Sequence, residues 1–259
     1  MIEGVLWVAI LCWLLSIILK NRVDDKVFGS AGWVFFSIYW LGTISYYLDI
    51  RDYFNVVLVC LMAGFCLLMA FFLVTYKGEK RDTLLLLTKA TALTCLIYFP
   101  FANISMLNEY IIMVTAMITN AVLNLLGVPT SLSSPIISLG NLEVQIILAC
   151  TAIESIALFT GVILSVKAPK DRKFKAFMAS VPVIYALNIV RNVAVTTAYV
   201  NVWFETPAQS FYIAHHILAK IGSMFVLIGI AYAVFMILPE VLDMIEDTWL
   251  LFRGDKNAG

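Results

Sequence analysis

Apolar residues dominate this chain, and short polar clusters cut it into pieces of membrane length. A transmembrane helix needs roughly 20 mostly apolar residues. Segments at about 2–19, 33–48, 54–76, 150–166, 176–200 and 209–237 meet that pattern plainly. A further one, 83–100, is shorter and carries only Lys89 as a charge. Glu3 precedes the first apolar run where a signal peptide has basic residues, and no small-residue cleavage site follows. The run therefore reads as a retained helix.

Residues 101–126 break the rhythm. Asn103, Asn108, Glu109, Thr115, Thr119, Asn120 and Asn124 interrupt the apolar run about every fourth or fifth residue, which is the spacing of an amphipathic helix. Lys and Arg favour the cytoplasmic side of short loops. They collect at Lys20, Arg22 and Lys26, at Lys77, Lys80 and Arg81, and at Lys167, Lys170, Arg172, Lys173 and Lys175. All of these clusters lie inside, with the N-terminus outside, only if 101–126 does not cross. The stretch is therefore expected at the outer interface or as a re-entrant element. An eight-span arrangement is the alternative.

After Gly127, the run from Val128 to Pro135 is turn chemistry. Ile136–Leu139 and Leu142–Ile146, separated by Gly140-Asn141, predict a short extracellular β-hairpin leading straight into Cys150. Beyond Pro239, the acidic and apolar sides of 240–252 predict a cytoplasmic interfacial helix. No repeat or flexible linker divides the chain, so a single membrane-embedded domain over 1–259 is expected. The fold class is an all-α polytopic membrane protein of about seven transmembrane helices, with the outer amphipathic helix and the hairpin added.

Composition strengthens this picture. Hydrophobic residues make up 62% and charged ones 13%, against roughly 45–50% and 25% in globular proteins. Lys+Arg and Asp+Glu both total 17, which leaves no basic footprint for nucleic acid. Of the five cysteines, Cys12, Cys60, Cys66, Cys95 and Cys150, four lie inside apolar runs, and no disulfide framework is implied.

An ionisable side chain deep in a span costs about 2.5–3.5 kcal/mol on insertion scales and is by default a candidate site. Arg191 lies about 16 residues beyond Lys175, or ~24 Å at 1.5 Å per residue, in the outer leaflet. Asn188 and Asn192 flank it. His215 and His216, the only 2 histidines, fall about two turns into the last span at the same estimated depth. Cys150 begins the fifth span at that level, beside Thr151. Glu154 lies one turn below it, either as a counter-ion for Arg191 or as part of the site. Taken singly, each has a bland alternative: snorkelling for Arg191, a structural role for the histidines, an inert filler for Cys150.

Together they deliver a thiol, a guanidinium and imidazoles to one depth. A thiol is a poor nucleophile until deprotonated. A nearby cation lowers its pKa, and a neutral imidazole can take the proton. A guanidinium also offers fixed donors to the oxyanion formed when a carbonyl is attacked. That inventory suffices for acyl transfer through a thioester. Adjacent histidines on one helix point different ways, so no metal site is predicted, and no Gly-rich phosphate loop or other cofactor signature is visible.

Ala149-Cys150-Thr151-Ala152-Ile153-Glu154-Ser155, Leu187-Asn188-Ile189-Val190-Arg191-Asn192 and Ala214-His215-His216-Ile217-Leu218-Ala219 resemble the signature blocks of the exosortase and archaeosortase family. Their order and their places near the outer ends of late spans match as well, and Leu238–Asp243 is similar to archaeosortases in particular. Where the family often has Gly after Cys-Thr, this chain has Ala152. The third position, Arg or His in the family, aligns best with His216, with His215 adjacent. The resemblance implies a membrane-embedded cysteine transpeptidase of the plasma membrane, working near the extracellular face. Its implied partners are C-terminal sorting signals of surface proteins, each a Pro-Gly-Phe-type motif, a transmembrane helix and a basic tail. An archaeal membrane lipid is the implied acyl acceptor. Cys150 would be the nucleophile, Arg191 the group that polarises the carbonyl or stabilises the thiolate, and His216 the acid and base. The acidic face of Glu240, Asp243, Glu246 and Asp247 is expected to attract the basic tail.

Rival readings are a secondary transporter using intramembrane Arg, His and Glu, a structural membrane subunit, and a membrane cysteine protease without lipid transfer. Transporters of the first kind show inverted repeats and broken helices near the midplane. Neither is visible here.

Overall fold

Backbone groups in hydrocarbon have no water to bond, so long apolar runs must satisfy their N–H and C=O groups as helices. The computed structural model describes residues 2–19 and 24–253. Lys20 and Arg22 of the first basic cluster lie outside the described residues. In chain order the helices are α1 (Ile2–Ile18), α2 (Asp24–Gly42), α3 (Ile44–Asp49), α4 (Tyr53–Thr75), α5 (Glu79–Asn103) and α6 (Ser105–Leu125). Strands β1 (Ser131–Ser133), β2 (Ile136–Leu139) and β3 (Leu142–Gln145) follow, then a 3-10 turn, Leu148–Cys150. The remainder is α7 (Ile153–Ser165), α8 (Lys170–Val200), α9 (Pro207–Tyr212), a π-helical segment Ile213–Leu218, α10 (Ala219–Ile237) and α11 (Pro239–Arg253).

Among the described residues, 6 stretches are long and apolar enough to cross a membrane: Asp25–Asp49, Tyr53–Thr75, Glu79–Asn103, Ser105–Leu125, Lys170–Val200 and Pro207–Ile237. Ile2–Ile18 and Ile153–Ser165 are apolar but shorter. These bounds differ from the expected spans in informative places. Of the stretch 150–166, only 13 residues are helical in α7, because the 3-10 turn takes up its start. The stretch 101–126, expected to lie along the interface, forms the 21-residue α6, which has the length and hydropathy of a span. Its polar residues do not form one wet stripe. Thr115 and Thr119 are fully buried. Asn108 donates to the Phe101 carbonyl at 2.8 Å and closes the α5–α6 corner. Asn124 donates to the Thr130 carbonyl at 3.0 Å, and Thr130 donates back to Asn120 Oδ1 at 2.8 Å. Sequence spacing alone cannot tell such corner and capping bonds from a solvated face.

The expected hairpin is present as β2 and β3, joined by Gly140 (φ 60°) and Asn141. A further strand, β1, extends it to an antiparallel sheet of order β1-β2-β3, with Ser131 opposite Ser138 and Ser133 opposite Ile136.

Contacts sort the chain into two compact units. One comprises Met1–Leu96, Leu164–Lys167 and Glu240–Gly259. Its core is aromatic: Trp13 meets Trp33 and Phe36 edge-on, with ring centroids 4.9 and 5.1 Å apart. Gly32 permits this approach, since a Cβ there would stand 2.4 Å from Trp13 Cδ1. Trp33 Nε1–H donates to Thr88 Oγ1 at 3.0 Å, and the buried Asp25 carboxylate is paired with Arg81. This unit also holds a cavity of about 790 Å³, whose wall includes Glu79, Lys89, Lys167, Glu240, Asp243 and Asp247. Acids of α11 thus share that wall with lysines.

The other unit comprises Ile97–Ile163 and Ala168–Pro239. Ala116 and Leu123 of α6, Ile137 and Ile146 of the sheet region, and Ile189 and Val193 of α8 form one buried cluster, with Cys150 packed against it. Apolar burial on three sides thereby fixes where the cysteine turn sits.

Candidate active site

The cysteine turn is built from the backbone outward. Ile147 is extended (φ −119°, ψ 172°), and the chain then tightens, with Cys150 N–H donating to the Ile147 carbonyl at 2.8 Å. Thr151, fully buried, donates from its hydroxyl to the Leu148 carbonyl at 2.7 Å. Its Oγ1 also accepts from the Ile153 N–H at 3.4 Å, at the start of α7. Between them Ala152 adopts φ 60°. That left-handed conformation costs a residue with a Cβ about 1–2 kcal/mol and is the reason a glycine suits the position. Ala152→Gly should therefore keep full activity and lose no stability in detergent thermal melts. Ala152→Val, whose branched Cβ tolerates this backbone poorly, should cost about 1–3 kcal/mol and displace the thiol.

Asn188 and Asn192, one helical turn apart on α8, are both buried. Their side-chain amides donate to a single acceptor, the Cys150 carbonyl, at 2.7 and 2.9 Å. Two donors saturate both lone pairs of that oxygen, so the backbone at Cys150 is clamped to α8. Cys150 itself is a free, half-buried thiol. The polar pair that flanks Arg191 in sequence thus has a definite task, which spacing alone could not assign because its partner is a main-chain atom.

Arg191 lies between the two asparagines in sequence and is half-buried. Its Nε is buried and has no hydrogen-bond partner. Among the described residues the guanidinium makes no ion pair. Glu154 does not serve as its counter-ion, contrary to expectation: it is exposed and accepts from Tyr98 Oη at 3.5 Å. The 3-10 turn and Ala152 precede α7 and leave Glu154 in its first turn.

The histidines sit in the π segment, where each turn holds an extra residue; such segments are frequent at functional sites. The imidazoles, expected to point apart, stand with ring centroids 4.7 Å apart. His215 stacks on Phe211, centroids 5.2 Å apart and planes 7° from parallel, while His216 lies against Tyr212 at 5.2 Å. Each aromatic precedes its histidine by four residues, the one sequence signal of these ring pairs. His215 is half-buried with Nδ1 buried and unbonded, whereas His216 is exposed. Val195 and Ala198 of α8 pack with Ala214 beside them.

Cys150 is thus tied by its carbonyl to the turn of α8 that carries Arg191, and α8 also packs against the segment that carries His215. A profile described as Transmembrane exosortase (Exosortase_EpsH) matches residues 2–237. The chain belongs to the transmembrane exosortase family. The candidate residues Cys150, Arg191, His215 and His216 all fall inside the matched stretch. Archaeosortase A of Haloferax volcanii is 27% identical, the alignment covering 96% of this chain and 93% of the relative. Archaeosortase A of Natronomonas pharaonis is 26% identical over 88% of this chain and 80% of the relative. No solved structure matches the chain.

Proposed function

We propose that this exosortase is an archaeosortase-type cysteine transpeptidase that cleaves C-terminal sorting signals of surface proteins and passes the new C-terminus to a membrane lipid. One observation carries the reading most: a half-buried guanidinium with no anion to pair with among the described residues, next to asparagines that grip the Cys150 carbonyl. An unpaired buried cation is costly and suits a site where negative charge arises only during reaction.

In this reading the Cys150 thiol gives its proton to His215, and the sulfur attacks the scissile carbonyl. The carbonyl oxygen becomes an oxyanion facing Arg191. The C–N bond breaks, the imidazolium returns its proton to the leaving amine, and a thioester remains. A hydroxyl of the acceptor lipid then adds to the thioester, loses its proton to the imidazole, and releases the thiolate. His215 takes the acid–base role because its Nδ1 is buried and makes no hydrogen bond among the described residues. His216, the position favoured by family alignment, is exposed and packs on Tyr212. With the 167–175 basic cluster on the cytoplasmic side, at the opposite end of α7 from Cys150, this chemistry lies near the outer face of the plasma membrane.

The test is acyl-enzyme trapping. Purified protein in lipid vesicles is mixed with a synthetic peptide bearing a Pro-Gly-Phe motif, a transmembrane helix and a basic tail, then acid-quenched. Intact-mass spectrometry should show the N-terminal peptide fragment added to Cys150, removable by hydroxylamine. Cleavage without that adduct would overturn the covalent route. An adduct resolving only to a free carboxylate would make the protein a protease without lipid transfer.

A further inference from the structure

Strand β3 is an edge strand: the sheet runs β1-β2-β3, and β3 pairs on one side with β2. Which of its backbone groups face outward follows from one bond. The Ile146 N–H donates to the Pro135 carbonyl at 3.0 Å, continuing the β2–β3 register in which Val144 faces Ile137 and Leu142 faces Leu139. Successive residues of a strand direct their N–H and C=O to opposite sides. Leu142, Val144 and Ile146 therefore point toward β2, and Glu143 and Gln145 point away. Neither Glu143 nor Gln145 has a backbone partner among the described residues, and both are exposed. The inner face of the strand is fixed, with Val144 and Ile146 buried. The extended backbone continues through Ile147 to the turn that holds Cys150.

We propose that the outer edge of β3 binds the substrate by strand addition, gripping the extended peptide within about five residues of the scissile bond, given ~3.3 Å per residue. The inference rests on the transpeptidase reading and adds how that site holds its peptide. An extended peptide suits the edge because the free groups there are main-chain donors and acceptors on alternate residues, and this strand leads directly to the nucleophile. A second copy of the chain suits it poorly. Antiparallel pairing of two copies of so short a strand brings one Glu143 close to the other, and facing like charges destabilise a ladder.

The experiment leaves the wild-type protein intact and varies the peptide. The sorting-signal peptide described above is N-methylated at one residue at a time on both sides of the scissile bond, the scissile amide excepted, and kcat/KM for cleavage is measured in vesicles. A methyl removes one donor and blocks one edge contact. Cleavage should fall about three- to tenfold at alternate residues on one side of the bond, with the intervening residues near the unmodified rate. Uniform sensitivity, or none, overturns strand addition while leaving the transpeptidase reading standing. Failure to cleave the unmodified peptide overturns both. As a second arm, Gln145→Pro removes an outward N–H and should weaken cleavage in a protein that still alkylates at Cys150, whereas Gln145→Ala should not. Equal rates for the two variants overturn the proposal.

Discussion

Cys150→Ala and Cys150→Ser should each lower processing of a sorting-signal protein by about a thousandfold or more, since removing a covalent nucleophile takes away most of the enhancement an active site provides. The serine variant is the sharper test. Its hydroxyl is close to the thiol in size, but it is far less acidic, and the same surroundings cannot raise it to a comparable nucleophile. Folding should survive both changes. The bonds from Asn188 and Asn192 reach the Cys150 carbonyl, not its sulfur, and the turn closes through main-chain groups and Thr151. The side chain is only half-buried against its apolar cluster, so the lost methylene-sized contact is small. Processing is followed by the mobility shift of a surface protein in cells and by peptide cleavage in vesicles, with detergent melting as the folding control. Wild-type processing by either variant would remove the transpeptidase reading and leave a structural subunit or a transporter.

How much of this was legible in advance depended on whether a residue's partner was a side chain or a main-chain atom. Arg191 and the histidines stand out in any hydropathy reading because charged and polar groups are expensive in lipid. Cys150 stood out only through its level and its neighbours. The Asn188 and Asn192 clamp was invisible as a clamp, because a backbone carbonyl leaves no mark in the sequence. The π segment was equally hidden: its extra residue per turn shifts the helical phase, so the spacing does not show that His215 is half-buried while His216 is exposed. The polar positions of α6 are ambiguous for a related reason: Asn108, Asn120 and Asn124 bond to nearby loop and corner groups, which their spacing alone does not distinguish from a solvated stripe. Strand β1 was read as turn because Ser131, Ser133 and Ser134 are turn-rich residue types flanked by prolines. Its pairing with β2 is decided by register, which local composition does not encode.

Arg191→Gln should cost about a hundred- to a thousandfold in cleavage rate, the usual consequence of removing an oxyanion-stabilising group. Stability should be little changed or improved, because no hydrogen bond or ion pair among the described residues depends on the guanidinium. Arg191→Lys keeps the charge but replaces a planar fork with a single ammonium on a flexible stem. It should recover only part of the loss. The histidines then separate the roles further. His215→Gln removes the half-buried imidazole whose Nδ1 is unbonded and should fall to a rate comparable with Arg191→Gln. His216→Gln removes an exposed ring that leans on Tyr212 and should retain most activity. The rates come from single-turnover peptide cleavage, which reports acylation before any lipid transfer. If His216→Gln is the inactive variant and His215→Gln cleaves normally, the acid–base assignment moves to His216. If Arg191→Gln acylates Cys150 at the wild-type rate, the guanidinium does not meet the oxyanion, and its lack of an anionic partner must serve some other ligand.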